Sequence, residues 1–191
     1  MTRFSLIKII TGCTLAFAVN GCDIAPKAND AKDFNRNTEA IVAKFSSENE
    51  RLSDLFENSY AYAVFPTVGM GGLVLAHGFG NGGVYEGGEL IGYASVSEHA
   101  IGAIVGGVKW SLLLFLQDKA ALGKFQSGSL QADATANYAA GESGGNSQTE
   151  YSNGFIAIKV DPAGLIGDAS VGFSDFKYQS LSETEAKWDK K

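Results

Sequence analysis

Glycine placement constrains this chain more than any other feature. Thirteen of its 24 glycines fall between Gly69 and Gly107. A glycine inside a helix or strand costs about 0.5–1 kcal/mol relative to alanine, while a whole domain has only about 5–15 kcal/mol of net stability. Most of these glycines must therefore serve turns, bulges or close backbone approaches. After Pro66 the pattern is β. Val84-Tyr85-Glu86, Gly87-Gly88, then Glu89-Leu90-Ile91 predicts a hairpin on a two-residue loop. Gly78-Phe79-Gly80-Asn81-Gly82-Gly83 matches G-x-G-x-x-G, and Glu98 stands where a ribose-binding acid would. A dinucleotide site needs a helix to start at that loop, so that its first amides meet the pyrophosphate. A hairpin pattern follows instead, and the motif is expected to be a cluster of β-turns.

The flanking segments complete a fold class. Phe34, Thr38, Ile41, Val42 and Phe45 fall on one face of a 3.6-period helix, and Leu52, Leu55 and Phe56 predict a second, shorter one. Ala100 to Leu116 is a near-continuous apolar run broken by Gly102, Gly106, Gly107 and Lys109, which predicts two buried strands rather than a membrane span. Asp118 to Phe125 reads as a short helix capped by Asp118. From Leu130 to Ala140 apolar and polar residues alternate with period two, a half-buried strand. Glu142 to Thr149 is a polar loop, Phe155 to Val160 a strand, and Asp161 to Gly164 a turn; Val171, Phe173, Phe176 and Tyr178 close the domain. The segment from Ser182 is expected to be a charged, solvated tail. The class is α+β: mainly an antiparallel twisted sheet or partial β-barrel, with N-terminal amphipathic helices and one short mid-chain helix.

The first 21 residues are set apart. Arg3 and Lys8 precede an apolar stretch from Ile9 to Val19, too short to span a bilayer but suited to a signal peptide. Val19-Asn20-Gly21-Cys22 resembles a bacterial lipobox; Ile10-Thr11-Gly12-Cys13 is a rival with a shorter apolar run interrupted by Lys8. The resemblance implies cleavage before Cys22 and diacylation of its thiol, which alone suffices for stable anchoring. Asp23 after the acylated Cys resembles an inner-membrane retention signal. The expected location is the cell envelope, anchored to a membrane and facing the periplasm, with the outer membrane the alternative. Residues 22–30 then form a tether, 31–180 the domain and 181–191 the tail.

Cleavage leaves 13 basic against 21 acidic residues, a net charge of −8. Such a domain is a poor partner for nucleic acid. No thiol remains for a disulfide or a cysteine metal site. Gly141-Glu142-Ser143-Gly144-Gly145 matches G-x-S-x-G, but no helix pattern follows Ser143, and both histidines, His77 and His99, lie upstream. Each histidine lacks an acidic or histidine partner at ligand spacing, and Trp110 and Tyr93 are expected in the core. No catalytic set, metal site or cofactor site is read, so the chain is expected not to be an enzyme.

Ala61-Tyr62-Ala63-Val64-Phe65-Pro66 followed by Val68-Gly69 and Gly71-Gly72 resembles the opening of a SYLF domain, a lipid-binding module. Gly83-Val84-Tyr85, Leu90-Ile91-Gly92-Tyr93, Ile101-Gly102, Phe115-Leu116, Ala121-Leu122, Phe125 and Ala132-Asp133-Ala134 continue the likeness across residues 35–178. The resemblance implies phospholipid binding, in particular phosphoinositide binding through a basic N-terminal helix. Met70 stands where the family often has Lys, and the helical segment between Asp30 and Asn58 is net acidic, so general membrane phospholipid is the expected partner. Phe34, Ile41, Val42 and Phe45 are the candidate lipid contacts. The alternative is a structural or protein-interaction module of the envelope.

Overall fold

The computed structural model describes residues 23–72, 75–101, 104–130, 132–133, 151–161, 164–165 and 172–190. Helices α1 (Ala31–Glu48) and α2 (Glu50–Asn58) lead into four long strands, β1 (Ala61–Gly72), β2 (Leu75–Glu86), β3 (Glu89–Ile101) and β4 (Ile104–Leu116). Helix α3 (Lys119–Gln126), β5 (Ala132–Asp133), β6 (Phe155–Asp161), β7 (Gly164–Leu165), β8 (Gly172–Ser180) and α4 (Leu181–Trp188) follow. All strands pair antiparallel in one sheet of order β5-β8-β3-β2-β1-β4-β6-β7. The return of β4 to lie beside β1 gives the first four strands a Greek-key order. The sheet does not close on itself among the described residues, so the fold is α+β with an open, twisted sheet.

The sheet curls strongly. β3 and β6 are four ladder steps apart, about 19 Å in a flat sheet, yet Glu98 of β3 and Lys159 of β6 meet at 3.0 Å. The concave side holds one core, including Phe65, Trp110, Leu112, Leu114, Phe155 and Phe176. Helix α3 plugs it with Ala121, Leu122 and Phe125. The convex side holds a second core, where Phe45, Leu52 and the flanking Ile41, Val42, Leu55 and Phe56 pack on Tyr62, Val64, Tyr85, Leu113, Phe115 and Ile156. Coverage on both faces explains why Ala61 to Phe65 and Leu112 to Leu116 are buried without alternation.

Local chemistry sets the elements. Gly87 and Gly88 adopt φ of +57° and +86°, the left-handed pair that a two-residue hairpin demands. The Asp118 side chain accepts a hydrogen bond from the Ala121 amide at 2.8 Å and starts α3 as expected. The apolar run up to Leu116 supplies the end of β3 and all of β4.

The structure corrects three expectations. Gly78 to Gly83 is not a turn cluster; it lies inside β2. β1 bulges between Val64 and Thr67, around Pro66, which cannot donate to the ladder. The bowed backbone crowds β2: a Cβ on Gly82 would lie 2.5 Å from the Val64 carbonyl oxygen, and one on Gly80 2.7 Å from that of Thr67. The segment after Ser180 is not a solvated tail. Ser180 and Glu183 form a reciprocal capping box, and α4 packs on β3 and β8 with Thr184 buried. Residues 23–30 are not a loose tether. Ala25 is buried, the Asn81 amide donates to the Asp23 carbonyl at 3.0 Å, and the Trp188 indole donates to the Pro26 carbonyl at 3.0 Å.

Candidate functional site

The helices cover only part of the convex face. Near the Gly87–Gly88 hairpin, β2 and β3 present Tyr85 and Tyr93, buried under α1 and α4. Burial pushes both hydroxyls above the usual tyrosine pKa; the hydrogen bond that Tyr93 donates to Asn35 at 3.1 Å offsets part of its shift. Burial likewise raises Tyr62, which stacks on Tyr85 at 5.1 Å. Towards the opposite end the same strands emerge from cover. Thr67, Gly71, His77, His99 and Lys109 are exposed, and Phe79 is half-buried.

That bare end is apolar at its rim. Leu75 is 73% exposed and Val108 47% exposed, the exposed large hydrophobic residues among those described. They stand at the same end of the sheet on opposite faces: Val108 pairs with Met70 on the concave side, while Leu75 opens β2 opposite Ile101 on the convex side. The end of β1, the start of β2, the end of β3 and the start of β4 therefore lie at one end of the sheet. From Gly71 to Ala76 and from Ala100 to Val108 the sequence carries no charge. The ionisable groups on the convex face beside this rim are His77, His99, Lys109 and, on β8, the exposed Asp175. Glu98 points to the concave side, where Lys159 holds it.

The first described residues border the same face. Asp23 is fixed to Asn81, four residues along β2 from His77, or about 13 Å. Beside it an open cleft of about 500 Å³ runs between the N-terminal segment and α4, bordered by Asp23, Lys27, Lys187, Trp188 and Lys190.

The candidate lipid contacts lie elsewhere. Phe45 is buried, Ile41 and Val42 are half-buried against the convex core, and Phe34 sits edge-on to Tyr93 with ring centres 5.9 Å apart. This face packs α1 on the sheet, as its periodicity predicts, with Phe34, Ile41 and Val42 half-buried. Trp110 and Tyr93 are core residues, as expected. Cys13, Cys22, Ser143 with its G-x-S-x-G loop, and the alternating segment beyond Asp133 lie outside the described residues. Among the described residues no helix is long and apolar enough to cross a membrane, and no group of three or more His, Cys, Asp or Glu side chains converges.

The residues missed by sequence reasoning are Leu75 and Val108 at the rim and the pairing of His77 with His99. Comparison with known proteins returned no matching family model and no matching curated protein.

Proposed function

We propose that this chain is a non-catalytic phospholipid-binding module, anchored in the cell envelope through a lipidated Cys22 and touching the bilayer with the bare apolar end of its sheet. The observation that carries the reading is Leu75, exposed at the uncharged end of the sheet on the convex face that the Asp23 segment borders, with Val108 exposed at the same end. Solvating a side chain such as Leu75 is unfavourable, and a bilayer interface removes that cost. Leu75 stands on the face that the Asp23 segment borders, so a lipid anchor on the preceding residue and this side chain can engage one membrane. The SYLF-like residues support the same class of ligand; the phosphoinositide preference of that family is not part of the proposal, because the mature chain carries −8. Phe45 of α1 is buried in the convex core, whereas Leu75 is free to meet a bilayer.

Vesicle binding tests the proposal. A chain of residues 23–191, without acyl groups, should sediment with phosphatidylglycerol–phosphatidylethanolamine vesicles and remain bound in about 1 M salt, where exposed charge pairs are screened within about 3 Å. Burying a leucine side chain contributes about 1.5–3 kcal/mol. With about three-quarters of Leu75 available, Leu75→Asp should weaken binding by at least about 5- to 30-fold. Cys22→Ser in the full precursor should abolish lipid labelling. Binding that is unchanged in Leu75→Asp with Val108→Asp, in a chain folded by circular dichroism, overturns the assignment of the surface.

A further inference from the structure

We infer that His77 and His99 form a two-histidine site for a borderline divalent transition metal such as Zn²⁺, Ni²⁺ or Cu²⁺. The two residues are direct cross-strand partners on β2 and β3. Their side chains leave the convex face together, both exposed, with ring centres 4.8 Å apart and planes at 46°. The two Nδ1 atoms face each other at 3.4 Å. That is long for a hydrogen bond from one ring to the other, whose usual length is about 2.9–3.0 Å. It matches a different requirement. Two imidazole nitrogens bound at about 2.0–2.1 Å to a tetrahedral centre lie about 3.3–3.4 Å apart.

The ladder supplies the preorganisation. Both backbones are fixed by β-pairing on each side: β2 also pairs with β1 at Gly71, and β3 with β8 at Phe173. A metal therefore orders two short side chains rather than a loop. Imidazole selects zinc, copper and nickel over magnesium and calcium, which prefer oxygen. No third protein ligand joins them among the described residues, so water or an anionic oxygen completes the coordination. The site is open and its ion exchangeable. The nearest ionisable groups on the face, Lys109 on β4 and Asp175 on β8, oppose Gly69 and Ser97 rather than the histidines themselves.

The test uses the full chain in detergent, free of any histidine tag. Calorimetric titration with Zn²⁺, Ni²⁺ or Cu²⁺ should give one saturable equivalent, and Mg²⁺ none. His77→Ala and His99→Ala should each weaken binding by at least about tenfold, since a single imidazole remains. Electron paramagnetic resonance of the Cu²⁺-loaded wild type provides a readout that needs no variant and should show two coordinated nitrogens. No saturable binding below about 1 mM, full affinity in either alanine variant, or one or no nitrogen at copper overturns the inference.

Discussion

Lys159→Ala should be among the most damaging single changes in this protein. Its ammonium lies 3.0 Å from the Glu98 carboxylate and 4.6 Å from the centre of the Trp110 ring, and both side chains of the ion pair are only 5% exposed. At an effective dielectric constant of about 20, charges 3.0 Å apart attract by about 5–6 kcal/mol. Desolvation of both ions offsets much of that, so the intact pair adds little net stability. Removing one partner is different, because the Glu98 carboxylate stays buried and loses the Lys159 ammonium, at about 3–5 kcal/mol. For a domain of this size that corresponds to a fall in Tm of about 6–20 °C. Urea unfolding followed by tryptophan emission measures the loss. Lys159→Met combined with Glu98→Gln, which removes both charges and keeps most of the volume, should recover most of it. A loss below about 1 kcal/mol in Lys159→Ala, or a double variant no better than the sum of its parts, would refute the reasoning. It would mean that β3 and β6 do not face each other across the concave core.

Two further outcomes follow from the packing. Gly82→Ala should destabilise by about 1–3 kcal/mol or more, because its Cβ would meet the Val64 carbonyl at 2.5 Å and the Phe65 ring at 2.7 Å, whereas Gly69→Ala, with nothing within 4 Å, should not; equal urea midpoints for the two would exclude the close approach. The buried tyrosines should make the fold sensitive to alkali. Burial raises the folded-state pKa values of Tyr62, Tyr85 and Tyr93, so the folded protein retains protons that the unfolded chain releases. Their stability contribution is complete below the unfolded value of about 10 and is lost as pH climbs through the raised values. Stability that is flat to about pH 12 would contradict this.

Much of the fold is legible in local chemistry. The Gly87–Gly88 turn, the Asp118 cap and the amphipathic α1 each rest on interactions within a few residues, and the structure contains all three. The glycines of β2 are harder, because what excludes a side chain at Gly80 and Gly82 is the bulge at Pro66, on a neighbouring strand. Helix α4 carries a readable signal, the Ser180–Glu183 capping box, masked by the high charge of the segment that follows. The histidine pair shows how one irregularity changes a site. Extending the hairpin from Glu86 and Glu89 without interruption would set His77 opposite Glu98. The register shift between Val84 and Tyr85 moves every later pair by one residue, placing His99 opposite His77 and turning Glu98 inward to Lys159. A shift of one residue exchanges the faces of a strand. No residue type in the sequence marks it.

The contact between Trp188 and Pro26 joins residues 162 positions apart, and β3 finds its outer neighbour only in β8. A chain synthesised or threaded through a pore N-terminus first completes β3 at Ile101 but meets β8 only after Gly172 emerges. The intervening stretch of about 70 residues takes roughly 4–14 s at about 5–20 residues per second. During that interval a 13-residue strand has a bare edge, the kind that pairs with neighbouring chains. A nascent chain of this protein is therefore open to mispairing until β8 arrives, and loss of residues 172–191 would make that vulnerable edge permanent.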